Sequence, residues 1–132
     1  MTDDEFFTGL VDCTLAPAHF NHAGHVRLAW ICLQRHAPEQ AIALACETIS
    51  RYATHLGAAG KFHRTISEAL MRMLLAQGAA QAGLGWEAFR QRSADLLADA
   101  KAQLARHYSD HLLASELART SFVAPDLAPL PA

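Results

Sequence analysis

Asn21-His22-Ala23-Gly24-His25-Val26-Arg27-Leu28-Ala29-Trp30-Ile31-Cys32-Leu33-Gln34-Arg35-His36-Ala37-Pro38 decides the fold. An asparagine side chain accepts from the unpaired amides of a helix start, and a proline disfavours helix at the residue before it. The stretch therefore predicts one helix, capped by Asn21, that runs to about His36 and stops before Pro38. At about 100° per residue, its inward stripe is His22, Val26, Ala29 and Leu33. His25 lies to one side of that stripe with Cys32 and His36, and Arg27, Gln34 and Arg35 take the opposite face.

Working outward, the same signals recur on both sides. Thr2-Asp3-Asp4-Glu5 has the order of a capping box, which predicts a short first helix to about Cys13 with Phe6 and Leu10 inward. Pro38 and Glu39 suit the first turn of a third helix that carries Ile42, Cys46, Ile49 and Ala53 to an exit at Gly57 and Gly60. A fourth helix is expected from near Lys61 to Gln77 or Ala80, before the glycines Gly78, Gly83 and Gly85. Trp86 to Leu104 reads as a fifth helix, and Ser109 can cap a last one to about Arg119. The tail, residues 122–132, carries Pro125, Pro129 and Pro131 and cannot be helical; its spaced apolar residues predict an extended strap packed on the rest. No segment shows two-residue alternation, so no sheet is expected. The fold class is all-α: one domain over residues 1–132, a bundle of five to six helices (1–121) with a Pro-rich strap.

Composition removes several functions. Hydrophobic residues are 52% of the chain, enough for a core, whereas charged residues are 18%, few for a soluble surface. That shortfall suggests a covered face, such as a homodimer contact. The net charge is −2 with histidine neutral, and no Lys/Arg run offers the clustered cations that nucleic acid requires. No apolar run approaches the roughly 20 residues that span a bilayer. The start, Met1 to Glu5, is acidic and lacks the basic-then-apolar order of a secretion signal. Cys13, Cys32 and Cys46 are odd in number and show no C-x-x-C spacing, as expected of reduced thiols in a cytoplasmic protein. Neither nucleic acid nor membrane is an expected partner.

Chemistry, if present, belongs to the histidines, of which there are eight. His22 and His25 look inward from the first turn of their helix at i, i+3 spacing, close enough to share one ion. His63, in Lys61-Phe62-His63-Arg64-Thr65, belongs to the first turn of the fourth helix on the flank of a Phe62, Ile66, Ala69, Leu70, Met73 stripe. The partial positive charge of a helix start disfavours protonation of a nearby ring, and a neutral ring is what a metal ligand or general base must be. Arg64, Glu68 and Arg72 fall on another face and read as a solvated ion-pair ladder. His19 and His55 read as surface residues, though His55 could supply a fourth ligand, and His36 as a helix-end cation. His107 and His111, at i, i+4 spacing, read as cap-associated with a second metal pair as the rival. Trp30 and Trp86 fit a core, and Trp30 also a ligand platform; Thr65 and Ser67 could bond a substrate or the backbone. There is no nucleophile elbow, phosphate-cradling glycine loop or H-E-x-x-H motif, and no Glu-x-x-His pair of the di-iron type.

The pattern Phe20-x-His22-x-x-His25-x-x-x-Ala29-Trp30, then Lys61-x-His63-x-Thr65-Ile66, then Tyr108-Ser109 and Ser115-x-x-Ala118-Arg119-x-x-Phe122-Val123-x-Pro125-Asp126-Leu127 resembles a family of small bacterial all-helical proteins. The resemblance spans about residues 15 to 131. It implies that His22, His25, Trp30, His63 and the tail motif are characteristic positions, and it implies no reaction. The family pattern often has tyrosine before the last of these histidines; Phe62 stands there and brings no hydroxyl.

Three expectations result. In the leading one, His22, His25 and His63 hold one divalent ion, zinc or iron, with an open position for water or substrate. In the second, the same rings bind or deprotonate a small apolar molecule without metal, among Trp30, Phe62, Ser67 and Leu70. In the third, the chain is a homodimeric interaction protein and the histidines are structural.

Overall fold

The computed structural model describes residues 1–131; Ala132, the end of the expected tail, lies outside the described residues. Among the described residues there are nine α-helices and no strand. They are α1 (Asp3–Val11), α2 (His22–Arg35), α3 (Pro38–His55), α4 (Arg64–Ala76), α5 (Trp86–Arg92), α6 (Ala94–Ala98), α7 (Ala100–Ala105), α8 (Asp110–Leu113) and α9 (Glu116–Thr120). Tight 3-10 turns occupy Pro17–His19 and Ala59–Lys61.

The capping box forms as its spelling requires: the Thr2 hydroxyl accepts from the Glu5 amide at 3.1 Å and the Glu5 carboxylate from the Thr2 amide at 3.1 Å. α1 stops at Val11, short of the expected Cys13, because Cys13 takes a left-handed backbone (φ 59°) that turns the chain back. At the start of α2, the Asn21 side chain accepts from the Gly24 amide at 2.9 Å.

α2 departs from its expected single inward stripe. Leu28, Ala29, Trp30, Ile31, Cys32 and Leu33 are all buried, so its middle is enclosed on every side. It packs on α1, α3, α4 and α6, and α3 packs on α4, which makes α2 the axis of the bundle. Its polar face is also tied down. Arg27 reaches Asp3 at 2.6 Å, and the Gln34 amide donates to the carbonyls of Ala79 and Gln81 at 2.8 and 2.7 Å. Burying each Leu or Ile of this helix contributes roughly 1.5–3 kcal/mol.

The expected five to six helices are present, and two of them are divided into shorter ones. Trp86 to Leu104 is three helices. Buried Ser93, whose amide and hydroxyl both donate to the Phe89 carbonyl at 2.9 Å, stands between α5 and α6, and the Asp99 carboxylate accepts from the Ala102 amide at 3.0 Å, starting α7. Such bonds offer the chain an alternative to a continuous ladder. Ser115 does the same to the last helix: it donates to the Leu112 carbonyl at 2.7 Å and accepts from the Ala118 amide at 3.2 Å, separating α8 from α9.

After α9, residues 121–131 hold no helix or strand. Thr65, fully buried in α4, donates its hydroxyl to the Ser121 carbonyl at 2.9 Å and accepts the Val123 amide at 3.2 Å. The buried Tyr108 hydroxyl donates to the Val123 carbonyl at 2.7 Å, and the Leu127 amide to the His107 carbonyl at 3.0 Å. Thr65→Val keeps the shape of this clamp and removes both bonds. It should cost about 1–3 kcal/mol and raise amide exchange at Val123. Unchanged exchange there would show that the tail is held by packing alone.

Glu68 is a second departure from expectation. It is no part of a solvated ladder: it is 5% exposed, with Arg64 on one oxygen at 2.9 Å and Arg72 on the other at 3.0 Å. Arg72 also bonds Glu39 at 3.1 Å and lies over the Phe122 ring.

Candidate functional site

The starts of α2 and α4 meet. Between them, the middle of α3 and Leu96 of α6 lies a cavity of about 440 Å³. Its walls are mostly apolar: Phe20, Val26, Ala29, Ala45, Ile49, Phe62, Ile66, Leu70, Met71, Leu74 and Leu96. The polar residues of the lining are Asn21, His22, His25, Lys61, His63 and Ser67. The three histidines expected at the site thus share one cavity, with Phe62 and Ser67.

Each ring nitrogen can be accounted for. A carbonyl oxygen only accepts, so a ring nitrogen bonded to one must carry the proton. His22 Nε2 lies 2.9 Å from the Leu96 carbonyl and donates to it. His25 Nδ1 donates to the Asn21 carbonyl at 2.9 Å. Their remaining nitrogens, His22 Nδ1 and His25 Nε2, have no hydrogen-bond partner among the described residues; His22 is an exposed residue rather than one turned fully inward, and His25 Nε2 is not sealed from water. His63 is different. Its Nε2 donates to the Leu113 carbonyl at 2.7 Å and its Nδ1 accepts the Ile66 amide at 3.1 Å. It is the N-cap of α4 rather than a member of its first turn, and both its nitrogens are taken.

That accounting bears on the expected ion. Zinc or iron held by imidazoles takes a lone pair from each ring, and such sites use three or four ligands. His63 has no lone pair to give. No group of three His, Cys, Asp or Glu side chains is placed to hold a metal among the described residues. His22, His25 and His63 reach one cavity, but as arranged they are not a ligand set.

The turn before α2 fixes His25. Gly24 has no room for a side chain, since a Cβ there would stand 2.6 Å from the His19 carbonyl oxygen. The close approach seats the Pro17–His19 turn on α2 and stacks Phe20 on His25, ring centroids 3.9 Å apart at 20°. Burial lowers the His25 pKa below the usual imidazole value; His22 lowers it further, while the Asn21 carbonyl opposes the shift. The neutral ring is therefore favoured near pH 7. The unfolded chain binds this proton more readily than the folded one, so stability should fall as pH drops below about 6.5 toward the lower folded value. Melting temperatures between about pH 7.5 and 5 should show the fall, and His25→Phe, which keeps the stack on Phe20, should flatten it. An equally steep fall in that variant would place the titration elsewhere.

The other expected residues stand apart. Trp30 is buried, packs its indole against Trp86 with centroids 5.8 Å apart, and donates to the Leu84 carbonyl at 3.1 Å. It does not line the cavity, so the expected ligand platform is a core side chain. His107 bonds the tail through the Ala128 carbonyl at 3.1 Å. Neither His107, His55 nor His111 lines the cavity. Phe20 and Lys61 are lining residues that sequence reasoning missed; both sit in the short turns leading into α2 and α4, outside any helical stripe.

No family model matches the chain, and no curated protein and no solved structure matches it either.

Proposed function

We propose that this protein binds a compact, largely apolar small molecule in the cavity between α2, α3 and α4, with His22 and His25 as its polar contacts and proton acceptors. One observation carries this reading: an apolar cavity of about 440 Å³ whose lining includes two imidazoles, each with an uncommitted acceptor nitrogen. Small-molecule sites have this composition, a mostly apolar concavity of about 300–1,000 Å³ with few placed polar groups. Proton transfer to a positioned neutral imidazole is the chemistry such a pair supports. The free thiols of Cys13, Cys32 and Cys46 support a reducing, cytoplasmic setting; burial pushes the Cys32 thiol up to about 12, which keeps it unreactive.

The test is calorimetric titration with 2-methoxynaphthalene, a neutral apolar probe, against the wild type and Leu70→Trp, which fills the cavity. Binding to the first and not to the second supports the reading, provided the variant melts cooperatively. Equal binding to both places the probe elsewhere and overturns it. Equilibrium dialysis with zinc at neutral pH gives a second check. Stoichiometric zinc lost in His22→Ala/His25→Ala would replace this reading with a metal site.

A further inference from the structure

The polar character of the ligand can be taken further, on the reading just proposed. We infer that the ligand is a neutral hydroxyl compound of the phenol or enol class, whose single O–H donates to one of the two uncommitted ring nitrogens, His22 Nδ1 or His25 Nε2.

Because the Leu96 and Asn21 carbonyls occupy one nitrogen of each ring as acceptors, the protons of both rings are fixed on His22 Nε2 and His25 Nδ1. The nitrogens left over are acceptors, and both belong to residues in the first turn of α2. A cavity that offers two acceptors selects a donor. An ether of the same shape leaves them unpaired. A carboxylate brings its own lone pairs against them.

The anion-binding capacity of the helix ends is partly spent already. The Gly24 amide of α2 is held by Asn21, and the Ile66 amide of α4 by His63. Lys61, exposed at the same lining, and Ser67 are the remaining polar groups. They suit an oxygen that gains negative charge as its proton moves to a ring: the ligand O–H bond breaks, an imidazole N–H forms, and the electron pair stays on oxygen. Phe20 and Phe62 supply flat apolar walls for the body of a phenol or conjugated enol. A phenolic or enolic hydroxyl is also a stronger donor than an alkyl one.

The experiment is a calorimetric series at pH 7.5 with 2-naphthol, 2-methoxynaphthalene and 2-naphthoate, against the wild type and His22→Ala/His25→Ala. The naphthol should bind about tenfold more tightly than the ether, the scale of one hydrogen bond plus the relief of unpaired acceptors. The naphthoate should bind more weakly than the naphthol. In the double variant the naphthol and ether should become equal. Should that variant fail to fold, His25→Phe, which keeps His22 and the stack on Phe20, should narrow the naphthol's advantage over the ether. Equal wild-type affinity for naphthol and ether overturns the inference and leaves the cavity reading standing. Tighter naphthoate binding overturns it in favour of an anion site on Lys61. Failure of all three probes removes the cavity reading and the inference together.

Discussion

Glu68→Ala is expected to lower the unfolding free energy by about 3 kcal/mol, the low end of the range for breaking a buried ion pair. Glu68 is the buried member of its cluster: its side chain is 7% exposed, against 32% for Arg64 and 29% for Arg72. Removing it leaves two cations together with no acid between them. Both arginines can turn toward water and Arg72 keeps Glu39, which holds the loss to the low end. The damage should not stay local, since Arg72 also lies over Phe122 beside the Thr65 clamp. Urea unfolding of Glu68→Ala and Glu68→Gln gives the comparison. The glutamine keeps the shape and one acceptor, so it should lose less. A change within about 0.5 kcal/mol for the alanine would mean that the arginines recover all of their hydration and the buried acid is neutral to stability.

The second large effect is expected at His63. His63→Ala should cost about 2–3 kcal/mol, roughly 1 from the lost cap and the rest from the Leu113 tie. The ring works at two helix ends at once. Its lone pair receives the Ile66 amide at the start of α4, and its N–H serves Leu113, the last residue of α8, whose carbonyl has no partner within so short a helix. His63→Asn should recover about the capping part and not the tie. If the asparagine variant matches wild type in urea unfolding, the Leu113 bond contributes nothing. If it is as weak as the alanine, the capping role fails.

How much of this the sequence revealed depends on the scale of the signal. Helix starts spelled by a single residue were legible, as with the caps Thr2 and Asn21 and the first-turn proline Pro38. The meeting of His22, His25 and His63 at one cavity was not, because periodicity gives each ring a helix face and leaves open whether two helix starts adjoin. The breaks at Ser93, Asp99 and Ser115 were not. Each of those residues is compatible with a helix interior until its hydroxyl or carboxylate finds a backbone partner, which periodicity cannot register. Histidine is a rare N-cap, so the spacing places His63 in the first turn of α4, whereas it is the cap and both its nitrogens are bonded. Glu68 offered a clue in retrospect: one acid with an arginine four residues to either side reads equally as a surface ladder or as a clamped buried charge, and only the packed tail decides.

The shortness of α6 and α8 has a kinetic meaning. Helices of five and four residues have no stability of their own in water, so each exists only while a neighbour holds it. Leu96, the cavity wall contributed by α6, is held in part through its carbonyl by His22. The long helices α2, α3 and α4 should therefore persist while α6 detaches in sub-global openings, and its amides should exchange sooner than theirs. Loss of α6 would take the Leu96 wall from the cavity while leaving the walls from α2, α3 and α4 in place.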